Sequence, residues 1–185
     1  MASEPRLLFD ANVLYPFHLR NLLVQLAVDG LITAHWTDAI HAEWIDSLVA
    51  TGTVTRERLL RTRDIMNRVL PDAKVCGYEH RIAGDRHVLA AAIEARATIL
   101  TFNLRDFPTA VLAPFGLTAR DPDDLLCVLY RDDAEAVMAV VEAARSNLRL
   151  TTPTRGAFVE ALAQQRLSAF AARLRQSGYA DEPTG

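Results

Sequence analysis

Near its start the chain reads Arg6-Leu7-Leu8-Phe9-Asp10-Ala11-Asn12-Val13-Leu14. A short apolar run stops on a carboxylate; a small residue, an amide and a second apolar pair follow. A strand covered on both faces needs a continuous apolar run, because its side chains point alternately to each face. Leu7-Leu8-Phe9 meets that need. Asp10 then falls at the strand's C-terminal end, the edge of an open α/β sheet where ligands bind. Taken alone, Asp10 is either a strand-end residue or a catalytic group. The choice depends on whether later elements also end in carboxylates.

Helical and strand patterns alternate after it. Pro16 suits the first position of a helix carrying Leu19, Leu22, Leu23, Leu26 and Ala27, which Gly30 stops. Leu31 to Trp36 reads as a second strand. Thr37 or Asp38 caps a helix running through Glu43 and Trp44 to about Val49, and Thr55 caps another from Arg56 to Leu70. Ala73 to Gly77 is a candidate short strand. Asp85 opens a strongly apolar helix, Val88 to Ile93. Thr98-Ile99-Leu100-Thr101-Phe102 is the clearest later strand, and Gly116 to Ala119 a last edge strand. This alternation implies a parallel sheet with helices on its faces.

From Asp121 only helix is indicated: Pro122 to Tyr130, Asp133 to Leu148, and one long helix from Thr154 to Arg175. The expected organisation is therefore residues 1–120, a helical extension 121–178, and a flexible tail 179–185. Val137, Val140, Val141 and Ala144 are most simply the core of the extension.

A chain of 185 residues, half of them apolar and 23% charged, suits one sizeable folded domain with an appendage. It has no apolar run long enough to span a membrane and no signal-peptide pattern, so a cytoplasmic protein is expected. Cys76 and Cys127 are expected to pack as small apolar thiols. The net charge of −3 argues against coating nucleic acid through bulk charge. All basic residues except Lys74 are arginines; coding bias explains that more simply than phosphate binding. Arg56, Arg58, Arg61, Arg63 and Arg68 crowd one helix, and a solvated face paired with Glu57 and Asp64 is favoured over an RNA-contacting ridge.

The acids are more informative. Asp10 ends the first strand, Glu43 sits mid-helix, Asp85 opens a helix, and Asn103 and Asp106 follow a later strand. Asp38 and Asp46 share the helix of Glu43 and compete with it for a role. Converging carboxylates repel one another, and a divalent cation between them relieves this. All-oxygen ligands select Mg²⁺ or Mn²⁺. Such an ion activates water and neutralises charge on a phosphodiester. Asn12 suits orientation of Asp10, Thr101 suits holding the same loop or facing the phosphate, and Arg86 and Arg105 suit substrate phosphate. His87 is the one histidine near the acids, more simply on the helix surface. An aspartyl-phosphate hydrolase would want a second aspartate at position 12 and a loop lysine, and position 12 is asparagine.

In this order and spacing, Leu7 to Leu14, Asp85-Arg86-His87-Val88-Leu89-Ala90-Ala91-Ala92 and Ile99 to Phe107 resemble the PIN-domain ribonucleases, including the VapC-like toxins of toxin–antitoxin modules. The resemblance covers roughly residues 6 to 120. It implies a PIN-like α/β/α sandwich with a central parallel sheet, here with a C-terminal helical extension. It also implies Mg²⁺- or Mn²⁺-dependent RNA cleavage, frequent homodimerisation and a small antitoxin partner. Asp10, Glu43 and Asp85 fall on the family's metal-binding acids. Where many relatives carry a fourth aspartate this chain has Asn103, with Asp106 three residues on, so metal ligation extends to Asn103 and Asp106. The loss of charge at Asn103 keeps an alternative open, a catalytically degenerate RNA-binding or assembly module.

Overall fold

The computed structural model describes residues 4–81, 87–148 and 150–181. Among them four short strands pair in parallel: β1 (Arg6–Phe9), β2 (Thr33–His35), β3 (Thr98–Leu100) and β4 (Ala119–Arg120), in the order β2-β1-β3-β4. In this register Leu8 sits between His35 of β2 and Ile99 of β3. Leu7, Leu8 and Phe9 are all buried. Since they point alternately to opposite faces, both faces of the sheet are covered. The fold is the PIN-like α/β/α sandwich, with further helices at the C-terminus.

The helices of the sheet region are α1 (Ala11–Leu14), α2 (Phe17–Val28), α3 (Asp38–Ala50), α4 (Arg56–Val69), α5 (His87–Ala95) and α6 (Thr109–Leu112). The C-terminal helices are α7 (Pro122–Asp132), α8 (Ala134–Asn147), α9 (Arg155–Gln164) and α10 (Ser168–Gln176). Thr37 caps α3 and Thr55 caps α4 through their hydroxyls. Helix α5 packs on β1 and β3, which explains its almost entirely apolar sequence. Among the described residues no helix is long and apolar enough to cross a membrane.

Several expected elements differ. The stretch after β2 forms a 3₁₀ turn, Pro71–Ala73, and a single parallel bridge between Trp36 and Lys74, rather than a strand. The edge strand lies at Ala119–Arg120, because Gly116, at φ +66°, ends a 3₁₀ turn and delays the chain's return to the sheet. One long helix from Thr154 to Arg175 is instead two, α9 and α10. Arg166 adopts φ +68°, its N–H bonds Ala163 O, and the Leu167 N–H bonds Leu162 O. This is a Schellman turn with arginine where glycine usually stands. Apolar spacing carries through the turn, and no glycine or proline marks it. Cys76 is exposed rather than packed.

The C-terminal helices pack on α2. Val137, Val140, Val141 and Ala144 of α8 are buried, and α8 lies against α2 and α7. Asn21 Nδ2 donates to Ala144 O at 2.8 Å, and Asn147 Nδ2 to Gln25 Oε1 at 3.0 Å. Helix α2 begins after Pro16 with no cap of its own. Gln165, just past α9, supplies one: its Oε1 accepts from the N–H groups of His18 and Leu19. Asp123 of α7 likewise accepts from the Ala169 and Phe170 N–H groups of α10.

Glu142 of α8 ties the far end together. It accepts from Arg145, from Arg155 and, at 2.8 Å, from the hydroxyl of Tyr179. Tyr179, the first residue of the expected tail, is thereby buried rather than loose; residues 182–185 lie outside the described residues. Arg145 foremost, then Tyr179 and Arg155, hold the Glu142 carboxyl down to about 2, against 4.5 for an ordinary glutamate. A depressed folded-state value means stabilisation that is present above pH 4.5 and lost as pH falls towards 2. The side chain is 35% exposed, so solvent screening limits the effect. Glu142→Gln is expected to cost roughly 1 kcal/mol at neutral pH. In urea titrations the gap from wild type should narrow as pH drops below 4.5.

Candidate active site at the C-terminal edge of the sheet

Asp10 leaves β1 in extended conformation, with its N–H bonded to Leu100 O of β3. Its carboxylate is held from three sides. Oδ1 accepts from the Ala11 N–H at 2.7 Å, and Oδ2 accepts from Asn12 Nδ2 and from the Thr101 hydroxyl, both at 2.7 Å. Asn12 Nδ2 also reaches Thr101 Oγ1, and Asn12 Oδ1 accepts from the Phe102 N–H. Thr101 is fully buried, and its oxygen accepts in turn from the Asn103 N–H. The ends of two neighbouring strands are thus stitched together around one carboxylate.

Glu43 extends from α3 towards the same edge. Its Oε1 lies 3.0 Å from His87 Nε2 at the start of α5, a contact outside good hydrogen-bond geometry. Its competitors are engaged elsewhere: Asp38 with Lys74 at 2.6 Å, and Asp46 with Arg56 at 2.8 Å. Asn103 Nδ2 donates to Asp106 Oδ2, so the amide that stands in place of an acid aims one. Asp10, Arg105 and Asp106 line a cavity of about 490 Å³, backed by Val88, Leu89 and Phe107.

The electrostatics follow from crowding. Burial raises the Asp10 carboxyl above the usual 3.8, and Asp106 adds to this; hydrogen bonds from Thr101 and Ala11, with His87, oppose it. Burial likewise raises Glu43 above 4.5, with Asp10 adding and His87 opposing. Asp10 therefore feels the charge of Asp106, and Glu43 feels that of Asp10. Among the described residues no cluster of three or more histidine, cysteine or acidic side chains is arranged to hold a metal ion. Asp85 and Arg86, both sequence candidates, lie outside the described residues.

Other candidates fall as follows. Arg105 is exposed at the cavity mouth. The arginine-rich helix α4 presents mainly a solvated face, with Arg61 paired to Glu57 and Arg63 to Asp64. Two features escaped the sequence reading. His87 meets Glu43 instead of solvent, a contact between distant elements; its spacing two residues after Asp85 was the one available signal. Arg20 is buried, bonded to Leu14 O and Tyr15 O and stacked over Trp44 at 4.6 Å.

A parallel α/β/α sheet with Asp10 and Asp106 at its C-terminal edge, followed by packed helices, is the architecture that the resemblance to PIN-domain proteins implies. Comparison with known proteins narrows this. Residues 122–176 match the family model described as the VapC50 C-terminal domain. The chain is also 42% identical over 79 residues to "Putative ribonuclease VapC50" of Mycobacterium tuberculosis (strain ATCC 25618 / H37Rv). That match covers 37% of this chain and 47% of the relative, less than half its length. Both support the resemblance to VapC-like PIN ribonucleases. No solved structure matches the chain significantly.

Thr101→Val tests the lock around Asp10. It removes one donor from the carboxylate and one acceptor from Asn12 and from the Asn103 N–H. Unfolding in urea should show a loss of about 1–3 kcal/mol, the usual cost of stranding buried polar groups. The Asp10 carboxyl, followed by NMR titration, should move further upward.

Proposed function

We propose that this chain is a metal-dependent endoribonuclease, the toxin of a type II toxin–antitoxin module, which hydrolyses RNA phosphodiester bonds in the cytoplasm. The observation that carries the reading is the carboxylate of Asp10, fixed by Asn12 and Thr101 at the sheet edge and sharing a cavity with Asp106. The printed name of the M. tuberculosis relative supports the ribonuclease part. The family's habits supply a homodimer and a small antitoxin as expected partners.

The donors are carboxylate and amide oxygens, which suit Mg²⁺ or Mn²⁺ rather than a softer ion. Asp10 and Glu43 would hold the ion with Asp85, and Asp106 and Asn103 would complete the site. Bound there, the ion would supply Lewis acidity for water and charge neutralisation at the phosphate. The protein's own contribution is positional. Asn12 and Thr101 fix Asp10, His87 lies against Glu43, and Asn103 aims Asp106; Arg105, with Arg86 as the sequence candidate beside it, would offer cations to the substrate phosphate.

One observation favours a second reading. The fourth family position is the neutral Asn103, which removes one charge from the ligand set. A degenerate PIN-like RNA-binding or assembly module would have that character.

The two readings separate on purified protein incubated with total cellular RNA and Mn²⁺, Mg²⁺ or chelator, beside Asp10→Asn and Asp85→Asn. A nuclease gives discrete new ends that require metal and vanish in both variants. Absence of cleavage by folded, metal-replete protein selects the degenerate module. Independently of activity, Mn²⁺ should raise the melting temperature of wild type and not of Asp10→Asn. Because the free Asp10 and Glu43 carboxyls are raised, protons compete with the ion at milder acidity than for ordinary carboxylates. The Mn²⁺-induced shift should therefore fade early as pH is lowered.

A further inference from the structure

A second cavity, of about 680 Å³, opens on the other side of Asn12. It lies within the size range of small-molecule and nucleotide sites. Its walls come from both parts of the chain: Tyr15 and Phe17 around the start of α2, Arg58 of α4, Phe102 of the loop after β3, and Arg166 of the turn between α9 and α10. Tyr15 and Phe17 are substantially exposed for aromatic residues. No aspartate or glutamate lines the groove. Among the described residues neither Arg58 nor Arg166 has an ion-pair partner, although Arg56, Arg61 and Arg63, which share α4 with Arg58, do.

Arg166 carries the argument. Its guanidinium lies 4.4 Å from the centroid of the Phe102 ring, a cation–π stack. The backbone that aims it sits at φ +68°, a region costly for a residue with a Cβ. Gln165 fixes the turn against α2 by bonding the His18 and Leu19 N–H groups. Phe102 is joined to the acidic site through its N–H to Asn12 Oδ1, and Asn12 bonds Asp10. Aromatic faces and unpaired guanidinium groups, with no acid among them and a direct link to the candidate catalytic carboxylate, suit bases and phosphates of a single strand.

We infer that the C-terminal helices complete the substrate site: Arg166 stacked on Phe102, with Arg58 lining the same cavity, holds the single-stranded RNA segment that flanks the scissile phosphate. This rests on the ribonuclease reading for the identity of the strand, while binding is measurable without cleavage. Arg166 and Phe102 are binding residues here. The catalytic carboxylates lie beyond Asn12.

The test is fluorescence anisotropy with a short fluorescein-labelled single-stranded RNA, in chelator, on full-length wild type, Arg166→Gly, Arg166→Lys and Phe102→Leu. Glycine suits φ +68°, so Arg166→Gly strips the side chain without straining the turn. The expected result is roughly a tenfold loss of affinity for Arg166→Gly and for Phe102→Leu. The slope of log affinity against log salt should fall by about 1 for Arg166→Gly only. Arg166→Lys should keep the slope and recover part of the affinity. In cleavage assays the loss should fall on KM. Wild-type affinity and slope in all three folded variants would overturn the inference and leave the groove to a protein segment. Loss of binding in Arg166→Gly alongside a wild type that never cleaves would overturn the nuclease reading alone. Metal-dependent cleavage with Arg166→Gly binding as wild type would overturn this inference alone.

Discussion

The interaction on which the rest depends is the bond between the Thr101 hydroxyl and the Asp10 carboxylate. It joins the ends of β1 and β3, the two central strands, at the point where each gives way to a loop. A half-buried carboxylate without donors would be costly, and the chain supplies three. They do not remove the cost of burial, since Asp10 still sits above the ordinary carboxylate range. A charge kept in place by hydrogen bonds while its surroundings disfavour it is the state in which an arriving cation or proton has most effect.

The same loop serves two sites. From Thr101 the chain runs through Phe102, Asn103 and Asp106, and each residue faces a different task. Thr101 holds Asp10, Phe102 underlies Arg166, and Asn103 bonds Asp106. Asn12 is the hinge of this arrangement, bonded to Asp10 on one side and to the Phe102 backbone on the other. Asp10, Asp106 and Phe102 are all held by contacts within or onto this one short stretch.

What the sequence discloses here divides by range. Leu7-Leu8-Phe9 and Thr98-Ile99-Leu100 announce buried parallel strands because local apolar runs encode them. Asp10, Asn12 and Thr101 follow, since strand ends fix where they lie. Glu43 was named from the family resemblance, and the ion pairs that engage Asp38 and Asp46 were not legible because they join them to Lys74 and Arg56 on other segments. The break at Arg166 was hidden because the helical spacing on either side remains in phase and the turn uses arginine in place of glycine. β4 was misplaced because two residues of edge strand are specified by their partner β3 rather than by their own pattern.

The cap that Gln165 places on α2 has a consequence for how the molecule folds. Helix α2 has no cap of its own; its first N–H groups are satisfied by a side chain nearly 150 positions further along the chain. A helix start completed so late leaves the early part of a growing polypeptide with unfinished backbone bonding until the last helices arrive. Apolar surface on α2 awaits the same partners, because α8 and α9 cover it. During synthesis α2 therefore completes its backbone bonding and its apolar cover only when the C-terminal helices dock, which ties the finishing of this early helix to the last part of the chain.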